Sequence, residues 1–396
     1  MGPIEGIRIV DMTSILMGPY ATRLLGDMGA DVIKIESPQM DSMRTVKPSR
    51  SDGMAGAILN LHANKRSVVL DLKQEKAREA ALRMIAEADV FVHNLRPGAI
   101  VKLKLDYEHV RAVNPDVVYC NAYGFGRDGP YRDKAAYDDT IQAASGIPAL
   151  IARARGEPDF YPSAICDKIG GLTIVYAILA ALLGRAMGKG GQEIEVPMFE
   201  TAAAFNAIEH LCGFAFDPPL DDFGWRRILA RNRKPFATSD GYACILPYST
   251  ENWRDFFIFA DRAELVDDDR FATHARRIAN IDFLYGLIAE VAPRHTTGEW
   301  MAFCDSRSIP AMPVLDGPDL WNDPQIQSSG VLGFDEHPTE GRYRTIHQPA
   351  RFGGAASGIR RHAPRAGEHT ADVLADIGYS PDEVSAMIAT GAAAKG

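Results

Sequence analysis

The sequence predicts an α/β protein in which a large domain, built on a Rossmann-like parallel sheet, carries a smaller α+β domain. Three observations predict it. Short β-branched runs alternate with helical patterns over the first half, composition changes after about residue 212, and turn-rich sequence returns from about residue 330. With 396 residues and roughly 150 residues per domain, two or three folding units are expected. The expected large domain covers 1–212 plus 330–396, and 213–329 holds a linker and the small domain.

The alternation opens with IRIV (7–10), a helical pattern over roughly 18–29, and DVIKIE (31–36). RSVVLDL (66–72) precedes a Lys/Glu/Ala-rich segment, a composition of good helix formers. DVFVH (89–93), a short helix near 106–113 and DVVYC (116–120) continue the series. Parallel strands need crossovers, and helices are the usual ones, so this rhythm reads as a doubly wound sheet. Leu172–Leu183 then reads as one apolar helix, and GQEIEVPMFE (191–200) as a strand entering another helix. The stretch FDPPLDDFGWRRILARNRKP (216–235) has prolines, opposed charges and no steady period, as a surface connection does. GYACILPY (241–248) and helical segments near 252–262 and 280–293 form the smaller unit, which closes near SIPAMPVLD (308–316). The tail is turn-rich and ends in the acidic helix DVLADIG (372–378).

Composition excludes several function classes. Hydrophobic residues at 46% and charged residues at 24% describe a globular protein rather than a disordered one. A net charge of −9 argues against non-specific nucleic-acid binding. The five cysteines are odd in number and widely spaced with no C-x-x-C, so neither a disulfide framework nor a zinc site is suggested, and a reducing cytoplasm is expected. The first residues show no basic stretch followed by a long apolar one, so no secretory signal is expected. Ile169–Gly184, at 16 residues, falls short of the roughly 20 needed to span a bilayer, and a buried core helix is expected instead.

Few short motifs carry chemistry. GFGRDG contains Gly124, Gly126 and Gly129 in dinucleotide-binding spacing, but Pro130 follows at once and no carboxylate lies between Thr140 and Gly156 to hold a ribose, so a glycine-rich turn is favoured over an NAD site. No G-x-S-x-G elbow, H-E-x-x-H or P-loop occurs. Asp167 stands just before the apolar helix, where free N–H groups and the helix dipole favour an ionised carboxylate. From position alone an N-cap is the favoured reading of Asp167. Cys166 beside it is a weaker nucleophile candidate, because free cysteine is commonly a small buried apolar residue. Lys65, Arg66, Lys73, Arg96 and Lys102 recur near strand ends, where a polyphosphate would fit, although solvated lysines and arginines are as good an account of each alone.

Taken together, GIRIVDMTSILMGPYATRLLGDMGADVIKIE (6–36), NKRSVVLDLK (64–73), ADVFVHNLRPG (88–98), AAYDDTIQA, ICDKIGG (165–171), GQEIEVPMFE, DDRFATHARRIAN, IPAMPV and GEHTADVLADIGYS resemble the family III CoA-transferases. That group includes formyl-CoA transferase, carnitine CoA-transferase and α-methylacyl-CoA racemase. The resemblance implies an interlocked homodimer, with CoA as part of an acyl-CoA donor, a carboxylic acid as acceptor, and neither metal nor NAD. It also implies that Asp167 is the nucleophile, passing through a mixed anhydride and an aspartyl-CoA thioester, a form of covalent catalysis open to carboxylates. Oxyanion donors are expected from the Gly170/Gly171 helix start or a facing loop. CoA contacts carry over by position onto Leu16, Leu70, Lys73, Asn94, Arg96, Lys102 and Tyr137, with Asp138 beside the reacting end, and Arg96 and Lys102 suit phosphates.

Departures bear on substrate. Leu16 stands where formyl-CoA transferases carry Gln, Ser37 where an Arg often follows, and the glycine-rich loop expected near LPYSTENW is absent, which argues against formate or oxalate. The racemase branch places a His where this chain has Tyr137, and no histidine lies between His109 and His210. A phenol with an ordinary pKa near 10 is a poor second acid/base at neutral pH, so transfer is favoured over racemisation. A CoA-binding protein without turnover is the alternative from another class.

Overall fold

The computed structural model describes residues 2–353 and 358–396. Its strands are β1 (Arg8–Met12), β2 (Asp31–Glu36), β3 (Lys65–Leu70), β4 (Val90–His93), β5 (Val118–Tyr123), β6 (Gln192–Pro197), β7 (Phe236–Ala237), β8 (Tyr242–Ile245), β9 (Ala311–Pro313), β10 (Leu332–His337), β11 (Gly341–Ile346) and β12 (Ala393–Ala394). Seven of them form one sheet in the order β12-β3-β2-β1-β4-β5-β6. Neighbours from β3 to β6 are parallel, and β12 joins antiparallel with Ala393 opposite Leu70. The order reverses between β1 and β4, which opens a crevice at the carboxyl ends of the strands. Every residue of β4 and β5 is buried, as strands covered on both faces require.

β5 runs three residues beyond the expected DVVYC. Its polar end fits a buried strand because Tyr123 donates its hydroxyl to Asn121 Oδ1 at 2.7 Å, and Asn121 Nδ2 donates to Glu193 on β6 at 2.9 Å. The tail is more ordered than its turn-rich sequence suggests. It holds the β10–β11 hairpin, the helices Thr370–Asp376 and Pro381–Ala389, and β12. The second helix was signalled by Ser380 and Glu383, which form a reciprocal capping box with Pro381 in the first turn.

The chain divides into two compact units. One comprises Met1–Ser145, Tyr161–Phe205 and Trp321–Gly396, the other Gly146–Phe160 and Asn206–Leu320. The segment 146–160, expected within 1–212, groups with the second unit, whose antiparallel sheet β7-β8-β9 packs on a core including Trp253, Phe256, Phe257, Ile288 and Trp300.

The apolar helix spans Ile165–Gly184 and runs on through a wider turn at Arg185–Lys189, making it long and apolar enough, by length and composition, to cross a membrane. The expectation of a buried core helix is corrected. Ile174, Ile178 and Leu182 are buried, but Leu172, Tyr176 and Leu183 are 50%, 63% and 62% exposed, so one apolar face is uncovered in the single chain. Its covered face meets the Met17–Asp27 helix through Gly170 and Gly171. A Cβ on Gly171 would stand 2.8 Å from the Met17 carbonyl oxygen and from Tyr20 Cδ1, whereas one on Gly170 would meet chiefly the thioether end of Met17. Glycine is required by close approach, and Gly171→Ala should therefore lower unfolding free energy by about 1–3 kcal/mol in urea titration. Gly170→Ala should cost less, because the Met17 side chain can turn away; equal losses would place the constraint elsewhere.

Candidate active site

The crevice is shaped first by the turn after β1. Thr13 donates its N–H and hydroxyl to Asp11 Oδ1 at 2.9 and 2.6 Å, and Lys34 Nζ donates to the Thr13 carbonyl. Asp41 Oδ2 accepts the Ile15 N–H at 3.1 Å. Asn94, just past β4, accepts the Ser14 N–H at 3.0 Å and donates back to the Ser14 carbonyl at 2.9 Å, closing the switch point from both sides. Ile15 has φ of 72°, a left-handed conformation that is costly for a β-branched residue and persists only where such contacts over-determine it.

Asp167 is the third residue of the Ile165–Gly184 helix. Ala164 occupies the N-cap, so the N-cap reading of Asp167 is corrected. Its backbone N–H, one of the free donors of the first turn, bonds to Asp138 Oδ1 at 2.9 Å. Asp167 is 8% exposed as a residue, and its carboxylate has no ion-pair partner among the described residues. Burial first, then the neighbouring Asp138 charge, raise its pKa from 3.8 to about 6, and the Met17 backbone N–H only partly offsets them. Asp167 is therefore still ionised at neutral pH, as its place at a helix start suggested, but it titrates near 6 and not in the ordinary carboxylate range. Cys166 faces the opposite outcome for a nucleophile, because burial pushes its thiol up to about 12.

Asp138 opens the Asp138–Ala144 helix, and its Oδ2 accepts from Gln142 Nε2 at 2.6 Å. Gln142 is itself buried and holds the approach to the Asp167 helix, accepting the Tyr161 N–H at 2.9 Å and donating to the Ser163 carbonyl at 3.2 Å. Asp138 thus supports Asp167 from behind. Gln142, Met17 and Ser14 were not picked out from the sequence; the position of each one relative to a strand end or helix start was the signal available.

Two adjoining clefts share Ser14. One, of about 210 Å³, is lined by Asp167, Tyr137, Asn94 and Arg96, together with Arg132 and Lys134 from the loop after β5. The other, of about 300 Å³, is lined by Leu70, Lys73, Leu95 and Leu103 over an apolar floor that includes Met12 and Ile35. Of the residues expected to contact a ligand, Asp167, Tyr137, Asn94 and Arg96 come together in the first cleft, and Leu70 and Lys73 in the second. Lys102 lines neither; it ends the short Pro97–Lys102 helix with its side chain in solvent. Leu16 also lines neither, serving as N-cap of the Met17–Asp27 helix, and Asn94 spends its amide on Ser14. Lys65 and Arg66 are consumed by structure, Lys65 on Asp11 at 3.1 Å and Arg66 on Asp31 and Asp376.

Gly170 and Gly171 lie past the first turn of their helix, so their amides belong to its internal ladder and not to an oxyanion site. In the GFGRDG turn, Gly126 donates its N–H to Glu200 at 3.0 Å and Arg127 donates its own to Glu195 at 2.9 Å. Carboxylates therefore occupy the amides that a pyrophosphate needs.

Comparison with known proteins agrees with this geometry. A sequence profile described as CoA-transferase family III matches residues 4–370. A succinate–glutarate CoA-transferase from Agrobacterium fabrum is 30% identical over 383 residues, covering 95% of this chain and 96% of its own. A formyl-CoA:oxalate CoA-transferase from Escherichia coli is 29% identical, covering 97% and 98%. Among solved structures, a CAIB/BAIF family protein from Brucella suis superposes with a TM-score of 0.81 at 31% identity, covering 95% of this chain and 99% of its own. A hypothetical protein from Mycobacterium tuberculosis does so with a TM-score of 0.81 at 26% identity, covering 94% and 99%. A crevice at the switch point of a parallel sheet, a buried unpaired carboxylate at its edge and a match over most of the length converge, and the chain belongs to CoA-transferase family III, an enzyme family that moves CoA between an acyl-CoA and a free acid.

Proposed function

We propose that the protein transfers CoA through a covalent intermediate on Asp167. The observation that carries this reading is the Asp167 carboxylate itself, buried without a cation, hydrogen-bonded at its backbone by Asp138 and lining a cleft at the switch point. An unpaired buried carboxylate is expensive, and groups kept in that state concentrate at reactive sites.

In the first half-reaction an Asp167 oxygen attacks the donor thioester carbonyl. The C–S bond breaks, CoA leaves as thiolate, and a mixed anhydride remains. The thiolate then attacks the Asp167 carbonyl carbon and expels the donor acid as a carboxylate, leaving an aspartyl-CoA thioester. The acceptor carboxylate repeats both steps in reverse, and Asp167 is regenerated. No water or redox partner enters, and the near-complete burial of Asp167 protects the anhydride from hydrolysis. Met17 N–H, which favours the ionised form of Asp167, is a candidate donor for the developing oxyanion. Arg96, Arg132 and Lys134 in the first cleft and Lys73 in the second are the cations available to CoA phosphates, in place of the expected pair Arg96 and Lys102. Acids of the succinate–glutarate class, named for the Agrobacterium relative, are the first to test; the expectation against formate and oxalate drawn from Leu16 has no support in the cleft linings, since Leu16 lines neither. A homodimer is part of this reading, supported by the uncovered face at Leu172, Tyr176 and Leu183.

Asp167→Ala and Asp167→Asn should each lower CoA transfer at least about a thousandfold, while hydroxylamine added during wild-type turnover should mark Asp167 as a hydroxamate. Near-normal turnover by the Ala variant would remove the nucleophile role. Asp167→Asn should also gain about 1–3 kcal/mol of unfolding free energy at pH 7.5, because it deletes a buried charge. The folded pKa lies above the unfolded one, so the wild-type protein loses this increment as pH rises from about 4 through about 6. The gain should vanish at pH 4.

For the same reason the acid limb of kcat/KM should have its midpoint near pH 6 instead of near 4, since only ionised Asp167 attacks. A flat profile from pH 7 down to 5 would contradict this.

Racemisation is the remaining alternative within the family, and it requires a second base. Among the described residues no histidine lines the Asp167 cleft, Tyr137 stands 66% exposed at its rim, and His93 is buried with its pKa lowered to about 4. Transfer should therefore proceed in deuterated solvent without deuterium entering the α-carbon of a 2-methylacyl-CoA, as mass spectrometry of the product reads directly. Rapid α-exchange without acyl exchange would assign the racemase branch.

A further inference from the structure

The second unit carries a cleft that the reaction scheme has not used. It has a volume of about 250 Å³, below the roughly 300–1,000 Å³ of pockets for drug-sized ligands. Its floor is apolar, formed by Phe236, Ile245, Leu246 and Tyr285. Its rim is cationic, formed by Arg155, Arg227, Arg233 and Lys234, and no Asp or Glu lines it.

The cations are arranged and unneutralised. Arg155 donates to the carbonyls of Arg231 at 3.2 Å and of Arg233, which fixes the backbone that presents Arg233 and Lys234. The Arg227 guanidinium lies 5.8 Å from the Trp225 ring centroid and 5.6 Å from that of Tyr248, so two aromatic rings limit its freedom. Among the described residues none of the four forms an ion pair, whereas the neighbouring Arg226 pairs with Asp221 at 2.9 Å. Arg155, Arg233 and Lys234 are exposed and solvent screens their mutual repulsion, so what the cleft offers an anion is several donors with no carboxylate among them. A purely inorganic anion gains nothing from the apolar floor, and among the described residues no aromatic ring pair is placed to sandwich a base. The ligand that matches both surfaces is a small organic acid, with carboxylate oxygens on the Arg227, Arg233 and Lys234 side chains and a short hydrocarbon body on Phe236 and Ile245.

We propose that this cleft is a binding site for a small organic carboxylate, an inference that rests on the lining of the cleft alone. The 216–235 stretch, which the sequence marked only as a connection, thereby gains a ligand-binding role through its basic end.

The test uses the full-length chain carrying Asp167→Ala, so that binding is read without turnover. Pentanedioate, hexanoate, inorganic phosphate and adenosine 3′,5′-bisphosphate are titrated by calorimetry against this protein and against the same protein with Arg227→Ala and Lys234→Ala added. The added substitutions lie outside the cores, and a thermal melt matching the parent confirms that they fold. At least one of the two acids should bind, its Kd should rise tenfold or more in the substituted protein, and neither phosphate nor the bisphosphate should displace it. No binding by either acid, acid binding that ignores Arg227 and Lys234, or displacement by phosphate or bisphosphate would each overturn the site. Absence of any CoA transfer by the wild-type chain would instead overturn the proposed function, and the calorimetry would still decide whether the cleft binds an acid.

Discussion

The buried carboxylate of Asp11 is the constraint on which the crevice depends. It accepts from the Thr13 hydroxyl at 2.6 Å, the Thr22 hydroxyl at 2.6 Å and Lys65 Nζ at 3.1 Å, and every partner comes from a different part of the fold. β1, the turn after it, the helix that follows and β3 are thereby tied to one point at the carboxyl end of the sheet. Lys34 adds to the positive field and bonds the turn directly. Such a fully hydrogen-bonded buried cluster makes removal of any one partner costly, because the remainder is left charged and dry. What it secures is geometric. Ile15 is kept in a conformation it would not choose, and Ser14 and Met17 are delivered to the edge of the cleft that holds Asp167.

Asp11 and Asp167 are the same residue type at similar depth with opposite electrostatic fates. Both pay desolvation. Asp11 has two lysines and two hydroxyls, which hold its pKa well below the carboxylate range, so it is a fixed anion and an inert one. Asp167 has a second carboxylate nearby and no cation, so its pKa rises to about 6 and its charge is poorly stabilised. A carboxylate in that state is the better nucleophile, since less stabilisation must be given up on attack. Structure and reactivity are separated by which charges sit beside each group and not by burial.

The parallel sheet was legible because its strands are buried on both faces and read as continuous β-branched runs, as at DVIKIE and DVFVH. The end of β5 was not, because Asn121 and Tyr123 look like turn residues until Glu193 is known to lie across from them. The tail hid its hairpin for a similar reason: β10 and β11 pair chiefly with each other and carry charges on exposed positions, so no apolar run marks them. In the site, Asp167 was legible from its place at a helix start together with the family resemblance. Its acidity was not, since that depends on Asp138, 29 residues earlier in the chain. Lys102 shows the converse limit: a cation near a strand end in sequence can sit on the outer end of a short helix.

Asp138 links position to reactivity. One of its oxygens satisfies a helix-start amide that would otherwise lack a partner, and the other holds Gln142, which in turn fixes Tyr161 and Ser163 before that helix begins. Those bonds determine where Asp167 stands. The negative charge on the same group also raises the pKa of Asp167, so the residue that aims the nucleophile is one of those that make it reactive. A neutral amide at 138 keeps an acceptor oxygen for the helix amide but removes the charge, while an aliphatic residue removes both. The two contributions are therefore physically separable even though one side chain supplies them: the positioning of Asp167 is carried by hydrogen bonds, while its reactivity comes first from burial and then from the unbalanced charge those bonds bring close.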